Sequence, residues 1–246
     1  MTVFAADHGV ALEGVSAFPQ EVTSQMLDNF VRGGAAISVM SRSLGASLEI
    51  VDAGTAAGGM DRPGVRNHRV GEGTANIRTR DAMSEAQLER ALQAGREAAE
   101  RASQAGCDLF IGGDMGIANT TSATALACAL LSADPRTLAG PGTGLNPAGV
   151  MHKAMVIKDA LERFVGAGGQ PLEVLRRLGG FEIAALTGAF IRAAQLGLPV
   201  LVDGFITTAA ALVAVRHDQA VGSWLLFSHQ SSEPGHGEML KALKSR

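Results

Sequence analysis

Residues 108–122 read DLFIGGDMGIANTTS, an apolar run followed by a glycine-rich turn that leads into polar residues typical of a helix start. The run Asp108–Ile111 predicts a buried strand, and the Ala/Leu-rich stretch Ala118–Leu131 after it has the period of a helix. A strand that passes through glycines into a helix is typical of one unit of a parallel sheet. This segment therefore predicts a strand, a tight turn that contains Asp114, and a helix.

The same alternation of short apolar runs and long amphipathic stretches recurs along the chain. Four further runs predict strands: Val3–Ala6, Leu48–Val51, Pro199–Val202 and Trp224–Phe227. Helical periodicity covers Pro19–Leu44, Ser84 to about Ala105, His152–Phe164, Phe181–Leu196 and Thr207–Val215. The pattern predicts an α/β fold in which helices flank a parallel sheet, with a single domain over residues 1–246.

Signals at the ends of elements support this α/β interpretation. Ser84 and Gln87 have the spacing of a capping box that opens a helix, and Gly106 is placed to end it. The stretch Gly54–Ile77 is rich in glycine and lacks periodicity, so we expect an irregular connection there.

Composition and charge exclude several classes of function. The net charge of −3 is spread without a Lys/Arg block, so the chain lacks the basic surface that nucleic acid requires. No apolar stretch reaches the roughly 20 residues of a membrane span, and residues 1–4 lack a basic signal start, so we expect a cytosolic protein. Cys107 and Cys128 lie in apolar settings, and the histidines have no paired spacing, so we expect neither a disulfide nor a metal site.

Carboxylates follow several of the predicted strands. They are Asp7, Asp52, Asp114 and Asp203, and the last strand leads into Ser228-His229-Gln230-Ser231. Because the carboxyl ends of parallel strands meet at one edge, ligands bind there in open α/β sheets. A single aspartate at such a place is more often a helix cap, but four together favour a polar site for a small molecule.

A second candidate feature is the glycine-rich loop Gly140–Gly149, which opens a helix that contains Lys153. Backbone N–H groups in such a loop bind a phosphate monoester, and a lysine adds a full charge. The spacing fits neither a P-loop nor a dinucleotide fingerprint, and an ordinary surface turn is an equal interpretation. Residues 119–122, Asn-Thr-Thr-Ser, either bind a sugar phosphate or only cap their helix.

Large apolar side chains near these loops are candidates for a wall against a flat ring. They are Phe18, Pro19, Met26 and Met115. Plain core packing is the alternative for Phe18 and Met26, because phenylalanine and methionine are usually buried.

In order along the chain, these segments resemble the nicotinate-nucleotide:dimethylbenzimidazole phosphoribosyltransferase family. The matching motifs are ADHGV at 6–10, VSAFPQEVT at 15–23, DMGIANTT at 114–121, GPGTG at 140–144, HK at 152–153, LGGFE at 178–182, DGF at 203–205 and SHQS at 228–231. The resemblance covers nearly the whole chain. It implies a Rossmann-like parallel sheet that forms the large domain of the family, with the small helical region largely missing.

The resemblance also implies an activity. Family members transfer ribosyl phosphate from nicotinate mononucleotide to dimethylbenzimidazole, which releases nicotinate and forms α-ribazole phosphate for cobalamin biosynthesis without a metal or cofactor. By position, the phosphate is expected at Gly142, Lys153, Gly204 and Ser231, and the bases at Phe18, Met26, Met115 and Gly116. Thr143, Asp203 and Ser228 are further candidate substrate-binding residues.

Two departures from the family pattern stand out. Asp114 stands where most relatives carry glutamate, one methylene longer. The family's general base is a glutamate in a Leu-Gly-Glu-Gly-Thr-Gly segment, and this sequence stops at Met239–Arg246 without it, as it also lacks the usual N-terminal helical region. We therefore expect no family general base in this chain, with Asp114, Glu182 or Asp203 as possible substitutes.

Two further expectations follow from the missing segments. The alternative function is a binder of nicotinate mononucleotide or benzimidazole without catalysis. We also expect apolar surface to be exposed where the missing segments would pack, and this favours a homodimer.

Overall fold

The computed structural model describes residues 1–56, 62–164 and 169–244, in which one parallel sheet is flanked by helices on both faces. Its six strands are β1 (Thr2–Ala6), β2 (Glu49–Gly54), β3 (Val65–Asn67), β4 (Phe110–Met115), β5 (Val200–Val202) and β6 (Leu225–Phe227). They lie in the order β3-β2-β1-β4-β5-β6, and every neighbouring pair is parallel. The predicted α/β class and the Rossmann-like sheet are confirmed.

The described residues contain ten α-helices. They are α1 (Glu21–Arg32), α2 (Ala36–Leu44), α3 (Glu85–Gln104), α4 (Asn119–Leu131), α5 (Pro135–Leu138), α6 (Pro147–Phe164), α7 (Pro171–Leu178), α8 (Phe181–Gln195), α9 (Phe205–His217) and α10 (Pro234–Lys244). The predicted capping box is present, since the Ser84 hydroxyl accepts the N–H of Gln87 and the Gln87 side chain accepts the N–H of Ser84.

The first strand is buried on both faces, which explains its unbroken apolar sequence. Successive side chains of a strand point to opposite faces. Val3 and Ala5 pack with Leu27 of α1, whereas Phe4 and Ala6 belong to the larger core beneath α8. The sheet is therefore sandwiched between two apolar layers.

Glycines let α8 approach both the sheet and α3. A methyl group at Gly112 of β4 would lie 2.6 Å from Leu186 Cδ2. A methyl group at Gly95 of α3 would lie 1.7 Å from the carbonyl oxygen of Ala185. Helix α8 thus lies directly on the strand that leads into the Asp114 turn, and α3 is packed backbone to backbone against it.

Two predictions about the first third of the chain were wrong in detail. The stretch Pro19–Leu44 contains two helices, because Gly33 adopts φ 80° and ends α1, and α2 starts three residues later. The stretch Gly54–Ile77 is not wholly irregular, since it contains β3 on the sheet edge. Residues 57–61 of that stretch, with Gly58 and Gly59, lie outside the described residues.

The order of the strands places a topological switch point at β1. Strand β1 pairs with β2 on one side and with β4 on the other, so the connections on its two sides leave the sheet in opposite directions. At such a switch point the loops part and leave a space beyond the carboxyl ends of the strands. Within the described ranges, none of the helices is both long and apolar enough to cross a membrane.

The close approach of α3 and α8 predicts a specific stability effect. We expect Gly95→Ala to lower the free energy of unfolding by roughly 1–3 kcal/mol, because the added methyl group overpacks the helix contact. This loss outweighs the gain in helix propensity, and urea denaturation measures it. The matched control is Gly222→Ala, whose methyl group would meet Val215 at an ordinary 3.7 Å. Equal stability of both variants would contradict the predicted contact.

Candidate functional site

The region beyond the ends of β1 and β4, called the crevice below, contains two of the predicted acids, Asp7 and Asp114. Asp7 and His8 follow β1, and both are buried. Asp114 is the fifth of the six residues of β4, and Gly116 follows the strand directly. The structure thus places these groups at the switch point of the sheet, where a ligand has access to loops from both sides.

The turn from β4 into α4 is held in an uncommon conformation. Ala118, the residue before the helix, has φ 73°, which non-glycine residues rarely adopt. The turn is fixed by two hydrogen bonds: Asn119 Nδ2 donates to Asp114 Oδ1 at 2.8 Å, and the N–H of Ile117 donates to Thr23 Oγ1 at 3.1 Å. Such backbone strain is typical of functional sites, where surrounding contacts enforce it.

The surroundings of Asp114 change its acidity. Burial is the main cause, and the negative charge of Glu182 is the second, and together they raise the pKa of Asp114 to about 7. The hydrogen bond from Asn119 opposes this shift. Among the described residues no hydrogen bond reaches the other carboxylate oxygen, Oδ2. Asp114 therefore has an oxygen available to exchange a proton near neutral pH.

The strand-end aspartates divide into different roles. Asp52 lies inside β2, where its carboxylate accepts the N–H groups of Gly54 and Thr55 and the Thr55 hydroxyl, each at 2.9 Å. It thus closes its own turn, and the expectation that all four aspartates serve a ligand site is wrong for Asp52. Asp7 accepts the N–H of Ala56 at 2.7 Å through Oδ2, and burial raises its pKa.

The glycine-rich loop and Lys153 meet at the start of α6. Lys153 is buried, and its ammonium donates to Thr120 Oγ1 at 3.1 Å and to the Gly140 carbonyl oxygen at 3.0 Å. Burial lowers the pKa of Lys153, and the charge of Glu233 opposes the shift. A methyl group at Gly142 would lie only 3.0 Å from Lys153 Nζ. The loop backbone and the buried cation therefore face one another.

A carboxylate from the last helix region is already directed at this loop. Glu233 Oε1 accepts the N–H of Gly142 at 2.8 Å, and the N–H of Glu233 donates to Ser231 Oγ at 3.4 Å. The N–H and Oγ of Ser231 both contact Nδ1 of buried His236, at 2.8 and 2.9 Å. Gly142, Lys153 and Ser231 thus belong to one connected cluster, in which an amide is oriented towards an anionic group.

The ends of β5 and β6 complete the rim. Ser228 Oγ donates to the carbonyl oxygen of Asp203 at 2.9 Å, and it also contacts His229 Nδ1 at 2.9 Å. A methyl group at Gly204 would lie 3.8 Å from His229 Cε1, and the rings of His229 and His236 are 6.0 Å apart. The ends of β5 and β6 are therefore linked through His229 to His236 and Ser231. This part of the rim, formed by Asp203, Gly204 and Ser228, is more exposed than the rest.

The apolar candidates lie on the side of α1. Met26 and Met115 both pack on the small cluster formed by Val3, Ala5, Leu27, Phe30, Ala35 and Ile50. Phe18 is half exposed, and its neighbours Ser16 and Ala17 contact Thr143 Oγ1 at 3.1 and 3.3 Å. Thr143 thereby joins the glycine-rich loop to the segment that carries Phe18.

Sequence reasoning missed two side chains as site components, His8 and Glu233. It named Glu182 as a possible substitute base but did not predict that Glu182 pairs with His8. These two residues lie 174 positions apart in the sequence. No spacing rule links residues that distant, so only the fold reveals the pair. Glu233 follows Ser231 by two residues, and that proximity was the available signal.

Comparison with known proteins agrees with this architecture. The phosphoribosyltransferase family model DBI_PRT matches residues 1–246. The chain is 58% identical over 246 residues to the nicotinate-nucleotide–dimethylbenzimidazole phosphoribosyltransferase of Pseudomonas fluorescens SBW25, and 57% identical to that of Pseudomonas aeruginosa LESB58. Each match covers 100% of this chain and 70% of the relative.

The fold is likewise shared with a solved structure. The crystal structure of CobT from Thermus thermophilus superposes with a TM-score of 0.94 at 45% sequence identity. The superposition covers 98% of this chain and 72% of that one. The sequence matches span the whole chain and the superposition nearly all of it, so the protein belongs to the nicotinate-nucleotide–dimethylbenzimidazole phosphoribosyltransferase family.

Proposed function

We propose that the chain transfers ribosyl phosphate from nicotinate mononucleotide to dimethylbenzimidazole, giving α-ribazole phosphate and nicotinate for cobalamin biosynthesis. Family membership over the full chain supports the reaction. The observation that carries the assignment of the site is the contact between Lys153 Nζ and Thr120 Oγ1. Thr120 follows Asn119, which binds Asp114, so a cationic group and the acidic crevice meet at the start of α4.

The phosphate of the donor binds at the glycine-rich loop in this proposal. A phosphate oxygen takes the place of Glu233 Oε1 at the N–H of Gly142, and the ammonium of Lys153 supplies the opposite charge. Ser231 is linked to this loop through Glu233, and Gly204 lies beside His229, whose ring is 6.0 Å from that of His236. Anchoring the phosphate fixes the ribose above the crevice, which orients its anomeric carbon for attack.

The two bases exchange at the apolar wall formed by Phe18, Met26 and Met115. The acceptor nitrogen forms a bond to the anomeric carbon, and the bond to the nicotinate nitrogen breaks. The bonding electrons move to the nicotinate ring, which loses its positive charge. The acceptor ring then carries the positive charge and still holds the proton of its second ring nitrogen, and the carboxylate of Asp114 accepts that proton.

Asp114 suits this role better than the two other acids that sequence reasoning suggested. Glu182 is fully buried and hydrogen-bonded to His8, so it does not face a substrate. The side chain of Asp203 is 65% exposed, where water screens its charge. Asp114 lies at the crevice with one free oxygen and a pKa of about 7.

The phosphate assignment predicts the effect of removing the cation. Lys153→Met keeps most of the buried volume but loses the charge, so we expect the Kd for nicotinate mononucleotide to rise by roughly 10- to 150-fold, about 1.5–3 kcal/mol. Isothermal titration calorimetry measures the constant. Lys158→Met is the matched control on the same helix, because Lys158 is exposed. An unchanged Kd for Lys153→Met would remove this residue from the site.

The proton-acceptor assignment predicts a pH profile. Because the pKa of Asp114 is about 7, its carboxylate becomes more populated above that pH, and nicotinate release should rise as the pH passes from 6 to 8. Asp114→Asn keeps the acceptor for Asn119 but takes no proton, so we expect turnover to fall by roughly 10²–10⁴-fold and lose this rise.

Controls separate the proton-acceptor role of Asp114 from binding without catalysis. Asp159→Asn changes an exposed aspartate that pairs with Arg78, so it should keep the wild-type pH profile of nicotinate release. Full turnover by a folded Asp114→Asn protein would mean that another group accepts the proton. Tight binding of nicotinate mononucleotide by the wild-type chain without any nicotinate release would support the binder instead.

We further propose that the chain works as a cytosolic homodimer. Two free cysteines, Cys107 and Cys128, suit a reducing compartment. Three apolar side chains are well exposed: Leu12 (82%), Met151 (50%) and Met155 (59%). His152 Nε2 lies 2.6 Å from the backbone oxygen of Glu13, so the segments that carry these side chains are neighbours on one surface. An exposed apolar surface of this kind favours association.

This surface gives a test by sedimentation velocity. The wild-type chain should sediment as a dimer, and Met155→Glu should sediment as a monomer, because a buried charge disfavours the interface. Met40→Glu on α2, where Met40 is 54% exposed, is the control and should remain dimeric. A wild-type monomer at high concentration would contradict the dimer.

A further inference from the structure

A buried hydrogen-bond chain lies directly behind the crevice. His8 Nδ1 contacts Ser122 Oγ at 3.0 Å, and His8 Nε2 contacts Glu182 Oε1 at 2.7 Å. All three side chains are 0% exposed. They come from the segment after β1, from α4 and from the first turn of α8, so the chain joins three walls of the crevice.

Two glycines let this chain touch the backbone of the site. A methyl group at Gly116 would lie 3.2 Å from Glu182 Oε1 and 3.3 Å from His8 Nε2. A methyl group at Gly180 would lie 2.3 Å from His8 Cε1 and 2.6 Å from Glu182 Oε2. The His8–Glu182 pair therefore fits against the turn that begins two residues before Gly116, at Asp114.

Stability alone gives a poor account of this pair. Well-packed apolar residues of the same volume often stabilise a core as well as a buried ion pair does. In addition, Glu182 Oε2 is buried and has no hydrogen-bond partner among the described residues, an arrangement that destabilises the folded state. A carboxylate kept in this position beside a ligand crevice points to a role in the site.

The charges around Asp114 show which role is possible. His8 acts on it from the end of β1, Glu182 from α8 and Asp203 from the end of β5. Asp7, also at the end of β1, acts on His8 and is itself acted on by Glu182. Of these groups only His8 can carry positive charge. Burial disfavours the charged form of His8, but Glu182 and the other acids raise its pKa. The group is therefore rich in negative charge.

We propose that Glu182, held behind Gly116 by His8 and Ser122, is a positioning residue for Asp114. The inference rests on the proposed role of Asp114 as the proton acceptor of the transfer. When the acceptor base releases its proton, Asp114 changes from carboxylate to carboxylic acid. The fixed charge of Glu182 favours that change, so it drives the proton away from the product base.

The test is a titration of the Asp114 carboxyl group in the full chain by ¹³C NMR. Asp114→Asn identifies the resonance, which should titrate at about pH 7 in the wild type. Glu182→Gln keeps the shape and a hydrogen bond to His8 but removes the charge. We expect it to lower the Asp114 midpoint by roughly one pH unit. Glu182→Asp keeps a carboxylate, so its Asp114 midpoint should lie close to that of the wild type.

A matched control removes a different carboxylate near the same helix. Glu100 pairs with Arg192 of α8 at 2.8 Å, and Arg192 lies ten residues, about 15 Å, along the helix from Glu182. Glu100→Gln should therefore leave the Asp114 midpoint unchanged. An unchanged midpoint in a folded Glu182→Gln protein would overturn the positioning role, because a merely structural Glu182 affects stability and not the titration.

A second measurement covers the case in which Glu182→Gln does not fold. The proposal requires the Glu182 carboxyl group to carry the negative charge that acts on Asp114. The ¹³C shift of the Glu182 carboxyl group at the Asp114 midpoint, about pH 7, reports whether it is charged, and a neutral Glu182 would overturn the proposal. Neither measurement needs turnover. A shifted midpoint in a chain that releases no nicotinate would leave the electrostatic role of Glu182 intact and contradict the proposed function alone.

Discussion

The pairing of β1 with both β2 and β4 is the constraint on which the rest of the structure depends. Because all strands are parallel, each connection must return across a face of the sheet, and the connections on the two sides of β1 part there. The space between them receives the residues that follow both strands, Asp7, His8 and the Asp114 turn. Glycines at 95 and 112 support this arrangement, since they let α8 lie against β4 and against α3 at once. The position of Glu182 on the first turn of α8 is a consequence of that packing.

The sequence predicted the α/β class and five of the six strands, because each of the five contains a short apolar run, and β1 is buried along its whole length. It did not predict β3, since Val65–Asn67 lies on the sheet edge with mostly exposed residues and has no apolar run to detect. The break at Gly33 was also missed. A glycine within an amphipathic pattern is compatible with a continuous helix, and only the left-handed backbone shows that α1 ends there.

Much of the candidate site was recognised from family-like motifs, while the hydrogen bonds within it were not. The glycine-rich loop and Lys153 were linked by a phosphate-binding argument, and they do face each other. Asp52 and Asp114 looked alike in sequence, as acids at the ends of strands. Asp52 is fully engaged by its own turn and by Arg69, whereas Asp114 has a single partner. Hydrogen-bond partners distinguish such residues, and the partners of Asp52 come from the shape of its loop, which a sequence pattern does not specify.

The charged side chains of the candidate site complement the charges of the proposed donor. Nicotinate mononucleotide has a negative phosphate at one end and a positive ring nitrogen where its base joins the ribose. The chain places the buried Lys153 at the glycine-rich loop and a group of acids, Asp7, Asp114 and Glu182, at the crevice. During transfer the positive charge leaves the nicotinate ring and appears on the acceptor ring, which then releases a proton. The donor ring and the acceptor ring both lie near the acids of the crevice. The negative charge that attracts the donor ring therefore also favours transfer of the proton to Asp114. One set of buried acids can therefore serve both binding and proton removal.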